Sequence, residues 1–315
     1  MPGSSIFTSP SEALFDLATA GARSIVVVGT AKNAGKTTTF NALRAVAARR
    51  GITVAVTSIG RDGEPSDVLD GEPKPRIRLP AGTLVALPAG LIPRTPALAI
   101  LDSGGATALG PMVFARAMLA TTCEIGGPPT ARAMRAAIAR LCALGDGPVL
   151  VDGAIDRVAS LAGGNDAIVV ATGAASGATV AAVAAAAAGT VARLSLPGRD
   201  PSSERERVIT VEGALDARDA EDLLEHASGA TVVVSDPTRV TVRGALFEAL
   251  RAAVDLRCEH PLRIVACTTS PVGRGITLPT HALVQAVAAS TGLPAFDVVC
   301  GLAAGAPRAS APRPA

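Results

Sequence analysis

The chain has no tryptophan, no tyrosine and only six phenylalanines in 315 residues. A core made from this set is packed from small aliphatic side chains. Stacking platforms for single-stranded nucleic acid lack their rings. An excess of one charge is missing as well: 29 Lys and Arg stand against 27 Asp and Glu, a formal net charge of +2. With no basic stripe to compensate, a phosphate-backbone footprint on nucleic acid is not expected. The five cysteines, Cys123, Cys142, Cys258, Cys267 and Cys300, form no CxxC and no Cys/His ligand spacing. The opening MPGSSIFTSPSEALF has no basic stretch followed by an apolar one. An odd cysteine count without a secretory signal points to reduced thiols and a cytoplasmic protein. His226, His260 and His281 are isolated, so no protein-bound transition metal is expected. Long apolar runs are scarce too. Ala167 to Ala192 carries no charge and is long enough to span a bilayer. Its Ala, Gly, Ser and Thr contribute little to insertion, and it divides into a strand (AIVVA), a Gly/Ser turn and an alanine-rich helix. No membrane association is expected, and the tail lacks a basic amphipathic helix.

Lysine is the scarcest charge. There are three, beside twenty-six arginines, and two of them, Lys32 and Lys36, fall in the single stretch GTAKNAGKTTT. The run SIVVVGT before it suits a strand buried on both faces of a parallel sheet. TTTFNALRAVAARRG after it has helical period and a glycine stop, and ITVAVTSIG is a second strand. This is a βαβ unit.

Further along, TLVALP, ALAILD, GPVLVDG and DAIVVATG read as strands, PMVFARAML as a strand or short helix, and TARAMRAAIARLCALG as a helix. The polar, proline-bearing segment Arg61 to Arg78 reads as a functional loop or insertion. After about residue 195, VITVEG, TVVVSD, LRIVACTT and AFDVV alternate with helical stretches around 217–227, 241–255 and 281–292. The expected class is α/β: a P-loop NTPase three-layer sandwich with a mainly parallel sheet over residues 1–195, a smaller C-terminal α/β region over 196–305, and a disordered tail over 306–315. The pattern leaves open whether the two halves share one sheet.

Gly29-Thr30-Ala31-Lys32-Asn33-Ala34-Gly35-Lys36-Thr37 matches G-x-x-x-x-G-K-[ST], the phosphate-binding loop. The glycines let backbone N–H groups turn inward around phosphate oxygens, and the following helix points its positive end at the same anion. Lys36 offers a compact ammonium to the β- and γ-phosphates, where a planar guanidinium does not fit. Thr37 offers a hydroxyl to Mg²⁺, and Thr38 closes the binding set. Lys32 is either a second phosphate ligand or a solvated loop lysine.

A Mg·ATP site also needs carboxylates. Asp152 ends the apolar strand PVLVD, at the edge where α/β ligands bind. It is expected as a catalytic and metal-holding residue, against the reading of a cap or turn aspartate. Asp62 and Glu64, in SIGRDGE after the second strand, are expected as switch or substrate-facing acids, Asp62 also near the metal, or else as turn residues. Asp156 and Arg157 extend the Asp152 stretch, and Glu124 in TTCEIGG is a weaker candidate for orienting water. No guanine-selecting motif is present.

The series GTAKNAGKTTT, TSIGRDGE, VDGAIDR and DAIVVATGAA resembles the P-loop ATPase subunit of the lysine aminomutase reactivases, within the MinD and dethiobiotin-synthetase branch. The likeness continues through VSDPTRV, TTSPVGRG and FDVV, over most of the chain. It implies a chaperone that works with a companion reactivase subunit. Such a protein would use ATP to loosen an adenosylcobalamin-dependent aminomutase so that damaged cobalamin can be exchanged. On that likeness Gly29, Gly35, Lys36 and Thr37 hold the triphosphate and Mg²⁺, Asp152 holds the metal, and Asp62 and Glu64 sense the γ-phosphate. MinD-like proteins use a second lysine, five residues before the invariant one, across a homodimer. Lys32 stands four before Lys36 and departs from that pattern. The competing expectations are an ATP-dependent ligase or kinase of the dethiobiotin-synthetase type, acting on a small carboxylate or amine, and a metal-insertion ATPase, against which the lack of a Cys or His tract weighs.

Overall fold

The computed structural model describes residues 9–59, 76–93, 96–128, 130–153, 166–203 and 205–305. The chain enters through α1 (Pro10–Thr19). A capping box starts it: Ser9 accepts from the Glu12 N–H, and Glu12 accepts from the Ser9 N–H. Then follow β1 (Ser24–Gly29), α2 (Lys36–Arg49), β2 (Ala55–Ser58), β3 (Arg76–Leu79), β4 (Leu84–Pro88), β5 (Leu98–Thr107), β6 (Gly110–Ala117) and β7 (Thr121–Glu124). The middle of the chain is α3 (Ala131–Leu144), β8 (Val149–Asp152), β9 (Asp166–Gly173) and α4 (Val180–Leu194). After it come β10 (Val208–Val211), α5 (Ala217–His226), β11 (Thr231–Val234), α6 (Gly244–Ala253) and β12 (Asp255–Cys258). The last elements are β13 (Arg263–Ser270), β14 (Val272–Gly273), β15 (Ile276–Thr277), α7 (Thr280–Thr291), β16 (Ala295–Asp297) and β17 (Leu302–Ala304).

Ten strands form one sheet in the order β17-β16-β13-β9-β1-β8-β2-β4-β6-β5. The seven from β16 to β4 are mutually parallel; β17 on one side and β6 on the other pair antiparallel with them, and β5 pairs antiparallel with β6 and so runs in the direction of the seven. Parallel strands need both faces covered, and β1 shows how its sequence meets that need. Ile25 and Val27 pack on one face with Leu14 and Phe15 of α1 and Phe40 and Leu43 of α2. Val26 and Val28 pack on the other with Met134 of α3, Val183 of α4 and Leu283 of α7. All four β1 side chains are fully buried, each contributing about 1.5–3 kcal/mol relative to exposure.

The segment read as strand, Gly/Ser turn and alanine-rich helix is β9, a turn and α4. Among the described residues no helix is long and apolar enough to cross a membrane. PMVFARAML resolves as a strand, β6. The polar insertion read over 61–78 ends in strand β3, which pairs antiparallel with β7 in a small separate sheet, and its other residues lie outside those described.

The region read as one C-terminal α/β unit over 196–305 divides. β10, β11 and β12 make their own three-stranded parallel sheet with α5 and α6, closed around Leu223, Phe247 and Leu250. From Arg263 onward the chain returns to the large sheet as β13, β16 and β17. β12 is not among the expected strands; it starts at Asp255, where the helix read over 241–255 is expected to end. Arg193, at the end of α4, ties the two parts: it is 6% exposed and donates to the Val240 carbonyl at 2.9 Å. Burial pulls its pKa down to about 10. The tail 306–315 lies outside the described residues.

Candidate functional site

Sheet order creates the site. From β1 the chain leaves through α2 toward the β5 side, and from its neighbour β9 it leaves through α4 toward the β17 side. The helices lie on opposite faces. Adjacent parallel strands with diverging connections open a crevice beyond their carboxyl ends, where α/β proteins place ligands. The loop 29–37 occupies that position.

The loop is tight. Asn33 has φ +63 and Gly35 φ +96. Asn tolerates the left-handed region, and Gly occupies it without strain. The Ala34 N–H donates to the Ala31 carbonyl at 3.3 Å, with Ala34 buried beneath. Gly29 has a separate requirement. A Cβ there would stand 2.9 Å from Cγ and 3.1 Å from Cδ of Lys36, so the lysine stem folds back across the loop over Gly29. Gly35 is the N-cap of α2, and no side chain caps that end. In α1, α3, α4 and α5 a Ser, Thr or Asp side chain does. The starts of α6 and α7 also lack a capping side chain, but that of α2 lies at the crevice, where its first-turn N–H groups and helix dipole can take an anion. Lys36 is half-buried, while Lys32, Asn33, Thr37 and Thr38 are exposed at the rim.

Asp152 enters from the strand next door. In register it faces Val27 of β1 on one side and Ser58 of β2 on the other. The Ile59 N–H donates to its carbonyl at 2.8 Å. Burial raises the Asp152 carboxyl above the ordinary aspartate range, and the Lys36 ammonium draws it part of the way back. A half-buried carboxylate and an ammonium thus share the mouth of the crevice. Together with the open helix end, they can hold a polyanion and an accompanying cation.

Hydroxyls fasten both feet of the loop to the next two strands. Thr30 donates its N–H to the Ala171 carbonyl at 2.9 Å, and its Oγ1 meets Thr172 Oγ1 at 3.0 Å and Ser176 Oγ at 2.5 Å. Thr39 meets Thr268 of β13, Oγ1 to Oγ1, at 2.7 Å. Ser270 stands against Gly35, and its carbonyl leaves no room for a Cβ on Gly173. Of these residues only Thr30 stood out in the sequence, as part of the loop motif; Thr39, Thr172, Ser176, Thr268 and Ser270 did not, and the signal that could have found Thr39 is its place as third threonine of KTTT, four residues after Gly35.

The structure thus brings together Gly29, Thr30, Lys32, Asn33, Ala34, Gly35, Lys36, Thr37, Thr38 and Asp152 at one sheet edge. Asp62, Glu64, Asp156 and Arg157 lie outside the described residues. Glu124 is placed elsewhere, on β7 opposite Arg76 in the two-stranded sheet, not at the end of a parallel strand. A cavity of about 250 Å³ lies at the opposite edge of the sheet, between the C-terminal half of α2 and the starts of β2 and β4, lined by Arg44, Ala48, Ile52, Val54, Pro80 and Thr83. It contains none of the residues expected to carry chemistry. Compared with family models, curated proteins and solved structures, the chain has no match in any of the three.

Proposed function

We propose that the chain is a P-loop ATPase that binds Mg·ATP on the 29–37 loop and couples its hydrolysis to remodelling of a partner protein. The observation that carries the nucleotide reading is the Lys36 stem lying across Gly29 at the uncapped start of α2, beside Asp152. An uncapped helix N-terminus and a flexible ammonium converge there, which is what a β,γ-phosphate requires.

The donor set fits Mg²⁺, because that ion takes one or two protein oxygens and completes its shell with phosphate and water. Thr37 Oγ1 and an Asp152 oxygen would hold it, directly or through water. When bound it would neutralise charge on the phosphate oxygens. The chain's own residues do the rest. Lys36 orients the terminal phosphates, the loop N–H groups fix them, and Asp152, whose charged form the Lys36 ammonium favours against the cost of burial, balances the site's charge. Asp62 and Glu64 are proposed to respond to the γ-phosphate, as order–disorder switches do.

The likeness of GTAKNAGKTTT, TSIGRDGE, VDGAIDR and DAIVVATGAA to the aminomutase reactivase ATPases supports a partner: an adenosylcobalamin-dependent aminomutase, approached together with a companion subunit. The deciding experiment measures ATP hydrolysis by the chain with its companion subunit, with and without an aminomutase inactivated by turnover. Stimulation, with recovery of aminomutase activity on adding fresh cobalamin, is the expected result. Turnover that ignores the aminomutase and responds to a small carboxylate or amine makes the protein a ligase or kinase instead. Binding of neither Mg·ATP nor Mg·GTP overturns the nucleotide reading itself.

A further inference from the structure

Thr39 makes two bonds to one oxygen: its N–H donates to the Gly35 carbonyl at 3.0 Å and its Oγ1 donates to the same carbonyl at 3.1 Å. A threonine hydroxyl has a single proton. The one arrangement that makes both the 3.1 Å contact to Gly35 and the 2.7 Å contact to Thr268 a hydrogen bond has Thr39 donating to the carbonyl and Thr268 donating to Thr39. Thr39 is 1% exposed and Thr268 2%, so bulk water does not replace either partner.

The carbonyl of Gly35 and the N–H of Lys36 belong to one planar trans peptide and point in opposite directions. Holding the carbonyl with two donors aims the first N–H of α2 the other way, out of the helix end. Gly35 is where such a hold matters. At φ +96 it has the backbone freedom of glycine, and no capping side chain steadies the turn.

We propose that Thr268 is a positioning residue of the phosphate site: acting through Thr39, it sets the Gly35–Lys36 peptide so that the Lys36 N–H faces the bound anion. The proposal rests on the reading of 29–37 as a phosphate-binding loop. Thr268 lies 229 residues from Thr39 in sequence, on the strand that also sets Ser270 against Gly35. The loop is thus braced by β13 as well as by its own helix.

The test uses Thr268→Val and Thr268→Ser in the full chain, with two readouts: affinity for Mg·ATP by calorimetry, and amide hydrogen exchange at Thr39 in nucleotide-free protein. Thr268→Val keeps the shape and removes the donor. It is expected to weaken nucleotide binding about fivefold, the equivalent of one ordinary hydrogen bond, and to speed exchange at Thr39. Thr268→Ser is expected to restore both. A merely structural threonine would move the thermal midpoint and leave the affinity and the Thr39 exchange of the folded protein unchanged. Equal affinity in Thr268→Val and wild type overturns the proposal. A wild type that binds no nucleotide sinks the phosphate-loop reading instead, and the exchange arm then judges the brace alone: unchanged exchange at Thr39 in Thr268→Val overturns it.

Discussion

A Cβ on Gly29 would stand 2.9 Å from Cγ of Lys36, so the last residue of β1 and the first residue of α2 are in contact across the loop that joins them. The same Cβ would lie 3.1 Å from the Ala31 carbonyl, so the backbone offers no easy retreat. Gly29→Ala is expected to displace the lysine stem and weaken nucleotide binding by about tenfold or more, with a much smaller change in the urea midpoint. Calorimetric titration beside a denaturation curve separates the two. A loss of stability with unchanged affinity would remove the lysine from the argument.

Lys36→Ala is expected to abolish nucleotide turnover in a protein that still folds. The side chain is half-buried, its stem lying over Gly29 at the mouth of the crevice. Circular dichroism and a phosphate-release assay are the checks. Undiminished turnover would sink the P-loop assignment.

Asp152 links the site to pH. Burial raises its carboxyl pKa in the folded protein, so the native state binds the proton more tightly than the unfolded chain does. Stability from this group is therefore greatest in acid and falls as pH rises through the window between the unfolded and the folded pKa. Asp152→Asn is expected to be more stable than wild type at neutral pH, the difference closing in acid, and to be inactive. Because the Lys36 ammonium lowers that pKa, Lys36→Ala should move the Asp152 titration to higher pH. Carbon-detected NMR of the carboxyl reads both, and an unmoved titration in Lys36→Ala would show that the two groups do not interact.

Two glycines should respond in opposite ways to alanine. At Gly147 a Cβ would stand 1.7 Å from the Thr53 carbonyl, where β8 starts beside β2, so Gly147→Ala forces backbone apart. A loss of more than about 3 kcal/mol is expected. At Gly189, inside α4, nothing lies within 4 Å of the added carbon. Gly189→Ala should stabilise by about 0.5–1 kcal/mol. Urea unfolding of the two variants measures both signs.

The thiols should differ sharply in reactivity. Burial pushes Cys123 up to about 11 and Cys258 and Cys267 up to about 12, whereas Cys300 is exposed. Since the thiolate is the nucleophile, a mild thiol reagent at pH 8 is expected to label Cys300 first in the native protein. Cys300→Ser should remove the fast phase, and a fast phase that survives would place another cysteine at the surface.

What the sequence alone determined is local. The run of β-branched residues, two glycines, a lysine and a helical period lie within a few turns of chain. Sterics and periodicity therefore specified β1, the loop and α2 without help from the rest. The same holds for Asp152 as the end of an apolar strand, and for α4 as a helix after a Gly/Ser turn. What tertiary structure decided is adjacency. Nothing near Asp152 says that β8 lies between β1 and β2. Nothing near Thr268 says that its hydroxyl meets Thr39, and nothing in 263–305 says that this stretch leaves the small sheet to rejoin the large one. Local spacing records which face of an element is apolar. Which strands then share a sheet is settled by covering all those faces at once, and that balance belongs to the whole chain.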